Sequence, residues 1–382
     1  MTTLKGDGVL KKIISVLLVV VFVLSLVSCD ITFEYNDSDV MRVAMITDSG
    51  DINDQSFNEA TYKAIKQYCE KRDIDYQYFK PVNDSDADKI QSIQMALDQK
   101  YNVLVLPGFA FGYSVEKTVN VFPAKFLAID VASSNFTEKF SYPENLCTVT
   151  YNEEIAGFMA GYAAIKLGYR NLGFLGGAAA SSVKRYGYGF VQGIEYAAEE
   201  LGLDDVSLVY GYGNQYYGDA DITAAMETWY SHGTEIVFSC GGGIYTSVCE
   251  AACKYKGKVI GVDVDQKELI DGTYGEGMCV TSAIKRIDFT VEVVLDQISD
   301  GSFTKEVGGT DQVLGLLSTD LKKNFVGLAY ENTQFNDDFT LDDYSELNSK
   351  LLNKEIEVER NVDREVSEYV KRVQLKYLGN IK

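Results

Sequence analysis

Short apolar runs alternate with amphipathic stretches along most of this chain. Ten of the runs read as strands: Val43–Thr47, Tyr76–Phe79, Asn102–Leu106, Lys125–Ile129, Cys147–Thr150, Asn171–Leu175, Ser207–Tyr210, Glu235–Ser239, Lys258–Val262 and Cys279–Ser282. Between them, apolar positions recur at three- and four-residue steps, most clearly in Phe57, Ala60, Thr61, Ala64, Ile65, Tyr68 and Cys69. That spacing puts these side chains on one helical face, and Ser56-Phe57-Asn58-Glu59 predicts a capping box with the helix starting at about Phe57. Alternating strands and helices predict an α/β protein built on doubly wound sheets. Ten strands exceed what one open sheet usually holds, and the pattern starts twice, at Val43 and again at Asn171 ahead of Gly173-Phe174-Leu175-Gly176-Gly177. The expectation is two similar doubly wound lobes joined by a hinge, with boundaries near Thr150 and Ala283. Lobe 1 covers 41–150 and is completed by about 284–312; lobe 2 covers 151–283 and is completed by about 313–358. Val366, Tyr369, Val370 and Val373 sit at helical spacing, so 359–382 is predicted to be an appended amphipathic helix.

The amino terminus has a different pattern. Lys11-Lys12 precede a run from Ile13 to Val27 that is apolar except at Ser15 and Ser25. This is a signal-peptide core, shorter than the roughly 20 residues a membrane span needs. It stops at Leu26-Val27-Ser28-Cys29, which resembles the bacterial lipoprotein box. Residues 1–28 are therefore read as a lipoprotein signal peptide, Cys29 as the lipid-attachment residue and 29–40 as a polar tether. Acyl chains worth about 0.8 kcal/mol per buried methylene would hold the protein on the extracytoplasmic face of the cell membrane without a spanning helix.

Charge and rare residues narrow the chemistry. The formal net charge is −21; the first 28 residues carry Lys5, Lys11 and Lys12 against Asp7, which leaves −23 beyond them. Such a field repels nucleic acid and anionic surfaces, so no nucleic-acid partner is expected. A single histidine, His232, removes metal sites built on two imidazoles and most histidine-based nucleophile arrangements. Cys69, Cys147, Cys240, Cys249, Cys253 and Cys279 form no C-x-x-C pair and are read as free thiols, mostly buried. No metal or cofactor is called for.

In open α/β sheets, ligands bind beyond the carboxyl ends of the strands, so the residues after each strand carry the functional information. Thr47–Asn58, TDSGDINDQSFN, is crowded with carboxylates and amides. It suits recognition of hydroxyl or N–H donors, and equally suits acidic dressing of a helix start. Asp130 ends the fourth strand, Asp263 and Asp265 close VIGVDVDQ, and Lys285 follows the tenth strand. Carboxylates from separate strand ends with one lysine describe a polyol site, where vicinal hydroxyls can bridge a carboxylate. Tyr210, Tyr212, Tyr216 and Tyr217 cluster in a glycine-rich stretch where a loop is expected, and Phe57 offers another ring, so a flat heterocycle has stacking partners available. Phe57 also belongs to the apolar stripe of its helix.

Taken together, these residues resemble the basic membrane protein family of substrate-binding lipoproteins, whose best-understood members are purine nucleoside receptors feeding an ATP-binding-cassette importer. The matching pieces are TDSGDINDQSFN (47–58), EEIAGFMAGYAA (153–164), GFLGG with VKRYGYGFVQG (within 173–193), WYSHGTEIVFSCGGG (229–243), VIGVDVDQ (259–266) and TSAIKRID (281–288). The resemblance implies a type I periplasmic-binding-protein-like fold, a purine nucleoside in the interlobe cleft, an ABC transporter permease as partner and no enzymatic activity. It implies that Asp48 and Phe57 contact or stack on the base and that Asp130, Asp263 and Lys285 bind the ribose. It assigns the second aromatic face to Tyr216, with Tyr212 competing, and a close backbone approach to Gly241–Gly243, which also reads as a helix-start turn. Two alternatives stay open: the strand-end acids suit riboflavin or another polyol-bearing heterocycle equally well, and TDSGDIND superficially resembles the calcium loop of nucleoside hydrolases. Against the second, Ile46 stands two positions before Asp48, with Ser49 and Gly50 after it.

Overall fold

Each of the ten apolar runs forms a strand, with ends that differ from the expected ones by three residues at most. The structure, a computed structural model, describes residues 40–382 apart from Ser49. The expected signal peptide, Cys29 and all of the tether but Val40 lie outside the described residues. The strands are β1 (Arg42–Ile46), β2 (Asp75–Phe79), β3 (Val103–Pro107), β4 (Lys125–Ile129), β5 (Leu146–Tyr151), β6 (Asn171–Gly176), β7 (Ser207–Tyr212), β8 (Ile236–Cys240), β9 (Lys258–Asp263) and β10 (Cys279–Lys285). Three more were not legible as strands: β11 (Thr310–Leu314), β12 (Val326–Leu328) and β13 (Gln374–Asn380).

They form two sheets, in the orders β11-β5-β4-β3-β1-β2 and β12-β10-β9-β8-β6-β7-β13. All pairs are parallel except β10 with β12. Within each lobe the first five strands follow the same 2-1-3-4-5 order, so the order reverses between the first and third strand, where doubly wound folds bind ligands. Helices cover both faces, and the central strands are correspondingly apolar on both sides. In β1, Val43 and Met45 belong to one buried cluster, Ala44 and Ile46 to the other.

Five helices matter below: α1 (Phe57–Arg72), α2 (Glu153–Lys166), α3 (Ser181–Leu201), α4 (Ala220–Ser231) and α5 (Ile287–Ser299). α5 returns to lobe 1, where Tyr68 and Arg72 of α1 both bond Asp296. α2 and α3 cross with their backbones in contact: a Cβ at Gly157 would lie 2.1 Å from the Tyr186 carbonyl, and one at Gly161 2.2 Å from that of Phe190. This is why the Gly-x-x-x-Gly spacing in α2 serves close helix packing.

Two expectations need correction here. The segment 359–382 is not a helix: a 3₁₀ turn at Val366–Tyr369 is followed by β13, which adds to the edge of the second sheet beside β7. The helical spacing of Val366, Tyr369 and Val370 comes from that single turn, and Val373 is buried by the extended chain beyond it. The expected capping box also fails, because the Ser56 side chain makes no cap bond. Asp54 takes that role: its carboxylate accepts from the backbone N–H groups of Ser56 (2.9 Å), Asn58 (3.0 Å) and Glu59 (3.0 Å). A carboxylate accepts three donors where a hydroxyl would take one, and Ser56 is left free to bond elsewhere.

Candidate functional site

The chain turns that follow the strands of both sheets meet around a cavity of about 530 Å³, within the range of small-molecule sites. Lobe 1 contributes Asp48, Phe57, Asn58, Gly108, Phe109 and Asp130; lobe 2 contributes Tyr186, Tyr216, Tyr217, Cys240, Gly241, Asp263 and Lys285, among others. Of the eight expected ligand-contacting residues, seven line this cavity and Tyr212 does not.

Tyr212 is a correction with a simple cause. β7 continues through Tyr212 instead of ending at Tyr210, and residues two apart on a strand face the same way. Tyr210 and Tyr212 therefore both enter the core, their hydroxyls 2.9 Å apart, and Tyr212 is only 3% exposed. Tyr216 lies beyond the strand end and is 38% exposed. Its ring packs where a side chain at Gly177 would stand, 2.6 Å from that missing Cβ, and against Gly241. A Cβ at Gly241 (φ +154) would lie 2.8 Å from the Gly177 nitrogen and 3.3 Å from the Tyr216 ring, so its bare backbone lets the ring pack close.

One end of the cavity is built from acids and amides of lobe 1. Asp48 follows β1, and its Oδ1 accepts from the Gly50 N–H (2.7 Å) and from Asn58 Nδ2 (3.0 Å). The Asn58 Nδ2 also donates to Asp54 (3.0 Å). The Asn58 Oδ1 is buried with no hydrogen-bond partner among the described residues, so it is an acceptor available to a ligand N–H. Burial pushes the Asp48 carboxyl above its ordinary range, although the Gly50 and Asn58 donors work against that. Gly108, with φ +123, keeps the wall open, since a Cβ there would lie 2.9 Å from Asp48 Oδ2.

The other end is centred on Lys285. Its ammonium lies 2.5 Å from Asp130, 3.4 Å from Asp263 and 4.0 Å from Glu153. Glu153 is in turn held by Arg185 at 2.5 Å. Burial opposes the lysine charge, but Asp130, Asp263 and Glu153 together hold its pKa well above the usual value. Burial likewise opposes ionisation of Glu153, and Arg185 and Lys285 override it, lowering its pKa. For Asp130 burial wins over the pull of Lys285 and pushes the carboxyl up to about 6. The Asp130 Oδ1 is buried without a hydrogen-bond partner among the described residues. Asp130 and Asp263 have φ of +61 and +64, a left-handed conformation that aspartate tolerates better than most side chains. Each follows or ends the fourth strand of its lobe, so they are equivalent positions facing each other across the cleft. Phe57 sits beside them, with Lys285 4.4 Å from its ring centroid.

Contacts cross between the lobes at this site. Lys285 of lobe 2 reaches Asp130 of lobe 1, and the freed Ser56 hydroxyl donates to Asp263 at 2.9 Å. Gln55 accepts from Tyr245 (2.7 Å) through its side chain and from Gln266 (3.3 Å) through its backbone carbonyl. The lobes are thus tied in a closed arrangement.

Sequence reading missed several lining residues. Asn58, Gly50 and Asp54 lay within a stretch already singled out, without roles. Phe109 is 46% exposed on a short turn after β3, and an aromatic just past a strand end was the available signal. Cys240 ends β8, and burial pushes its thiol well above its ordinary pKa. Tyr186, and Glu153 and Arg185 behind the lining, depend on the crossing of α2 and α3, which no local pattern reveals.

Residues 41–362 match the family model described as ABC transporter substrate-binding protein PnrA-like. An ABC transporter nucleoside-binding protein, BmpA, from Lactococcus lactis subsp. cremoris is 27% identical over 314 residues, covering 76% of this chain and 82% of that protein. Basic membrane protein D of Borreliella burgdorferi is 26% identical over 300 residues, covering 75% and 82%. Among solved structures, an ABC transporter solute-binding protein from Conexibacter woesei superposes with a TM-score of 0.64 at 19% identity, covering 84% of this chain and 99% of that one. The fold is that of the type I periplasmic binding proteins.

Proposed function

This chain belongs to the PnrA-like family of ABC transporter substrate-binding proteins, and on that premise we propose that it captures a purine nucleoside between its lobes for delivery to a permease. The observation that carries the reading is the pair Asp130 and Asp263, equivalent residues from opposite lobes that converge on one lysine. Two carboxylates and an ammonium at that spacing suit the vicinal hydroxyls of a ribose, which both donate and accept. The nucleoside-binding relative from Lactococcus lactis supports the same choice.

In this reading the base lies toward Asp48 and Asn58, which meet its N–H edge, with its faces against Tyr216 and against Phe57, whose ring also borders Lys285. The cavity carries Asp48, Asp51, Asp54, Asp130 and Asp263 against Lys285, so a phosphate ester would meet net negative charge. Closure around ligand, then recognition of the closed form by the permease, needs no covalent step. Family members act outside the cytoplasm, and no helix among the described residues is long and apolar enough to cross a membrane. A lipid on Cys29 would supply the tether.

A thermal-shift screen against nucleosides, free bases, nucleotides and riboflavin tests this. Stabilisation by inosine, guanosine or adenosine, with little from their monophosphates, is the expected result. A shift with riboflavin alone would move the assignment to another polyol-bearing heterocycle.

A further inference from the structure

β13 and the residues after it lie beyond the 41–362 stretch that the family model matches, yet they reach the wall of the cleft indirectly. From Gln374 to Tyr377 the strand runs in register with Ser207 to Tyr210 of β7; a bulge then sets Asn380 opposite Tyr212. Gly379 makes the bulge, with φ +65. Beyond it the Ile381 N–H donates to the Tyr212 carbonyl at 2.8 Å. The Ile381 side chain lies over Gly211, where a Cβ would approach to 3.0 Å, and packs onto the buried cluster that includes Ile222 and Met226 of α4.

Lys382 then pairs with Asp219, with Asp221 at 3.9 Å. Asp219 is the anchor of the loop that carries the cavity tyrosines. Its Oδ1 accepts from the Ile222 N–H at 2.9 Å and caps α4, while its Oδ2 accepts from Gln215 Nε2 at 3.0 Å. The same Gln215 nitrogen donates to the Tyr217 carbonyl at 2.8 Å. Gln215, Tyr216 and Tyr217 all line the cavity. At the near end, the N–H groups of Arg372 and Val373 are held by Glu195 at 3.0 and 3.1 Å. A continuous set of contacts thus runs from the appended strand, through Lys382, Asp219 and Gln215, to the tyrosine loop.

We propose that residues 374–382 are a strap that positions the 213–218 loop of the binding cleft, with Ile381 and Lys382 as positioning residues for Tyr216 and Tyr217. The strap sets how firmly the aromatic wall is held, and hence how long a ligand stays; only this second part rests on the function proposed above.

The test uses the full chain with Lys382→Glu, which turns the contact with Asp219 and Asp221 repulsive, Ile381→Ser, which removes the apolar plug, and Lys382→Arg, which keeps the charge. Without ligand, amide hydrogen exchange over 213–219 should rise about fivefold in Lys382→Glu and in Ile381→Ser, and stay near the parent in Lys382→Arg, with β6 and β8 unchanged. Inosine dissociation, measured by stopped flow, should quicken by a similar factor in the first two variants. Unchanged exchange over 213–219 in both, or a rise spread evenly across lobe 2, would overturn the proposal. Failure of inosine, guanosine and adenosine alike to bind the parent chain would refute the nucleoside reading, while the exchange measurement would still decide the strap.

Discussion

The two lobes place equivalent strand ends on either side of the cavity, and the comparison between them separates its two ends. After the fourth strand the lobes agree: Asp130 and Asp263 both adopt a left-handed backbone and both face Lys285. After the first strand they diverge: lobe 1 carries Asp48, while lobe 2 carries Gly177, whose absent side chain makes room for the ring of Tyr216. A diol can be gripped by like groups from two sides. A flat base has an edge and faces, which need unlike partners. The symmetric end therefore suits the ribose and the asymmetric end the base.

The largest expected effect is at the symmetric end. Lys285→Met would leave Asp130 and Asp263 buried without a cation and Glu153 with Arg185 alone, and should cost about 3–5 kcal/mol of unfolding free energy in urea and abolish nucleoside binding. A loss of stability under about 1 kcal/mol, the scale of an exposed pair, would mean that the cluster is not the buried network described. Next come Asp130→Asn and Asp263→Asn, which keep a side chain that tolerates the backbone. Each should weaken nucleoside binding about 10–100-fold by calorimetry, from loss of charge-assisted hydrogen bonds. Losses differing by more than about tenfold, or 1.4 kcal/mol, would break the equivalence of the two positions.

At the asymmetric end, Tyr216→Ala should weaken binding by about 1–3 kcal/mol, the worth of one stacking face, while Tyr216→Phe should change little. An equal loss in Tyr216→Phe would assign the contact to the hydroxyl. The smallest effect is that of pH. The Asp130 carboxyl is raised from 3.8 to about 6, so its contribution to the stability of the unliganded fold is present in full below 3.8 and is lost as pH rises through about 6. Ligand hydroxyls need the ionised acceptor, so affinity should move oppositely, falling below pH 6 by up to about tenfold per unit. Affinity that stays flat from pH 7 to pH 5 would remove Asp130 from the ligand contacts.

What could be read from the sequence follows from how local each signal is. Strands buried on both faces stand out as apolar runs, and an aspartate closing such a run, as in Lys125–Asp130 and Lys258–Asp263, is conspicuous because a charge there must be paired or used. β11 and β13 are half-exposed edge strands and β12 has three residues, so none produces a run. Tyr212 misled because two further strand residues decide whether a ring enters the core or the cleft. Glu153 and Arg185 became visible only once the glycines of α2 and α3 brought the two helices together.

If acids from opposite lobes hold the vicinal hydroxyls of a nucleoside, calorimetric titration must distinguish inosine from 2′-deoxyinosine. Loss of one hydroxyl bonded to a charged partner should weaken binding about 10–100-fold. Equal affinity for the two nucleosides would contradict that arrangement.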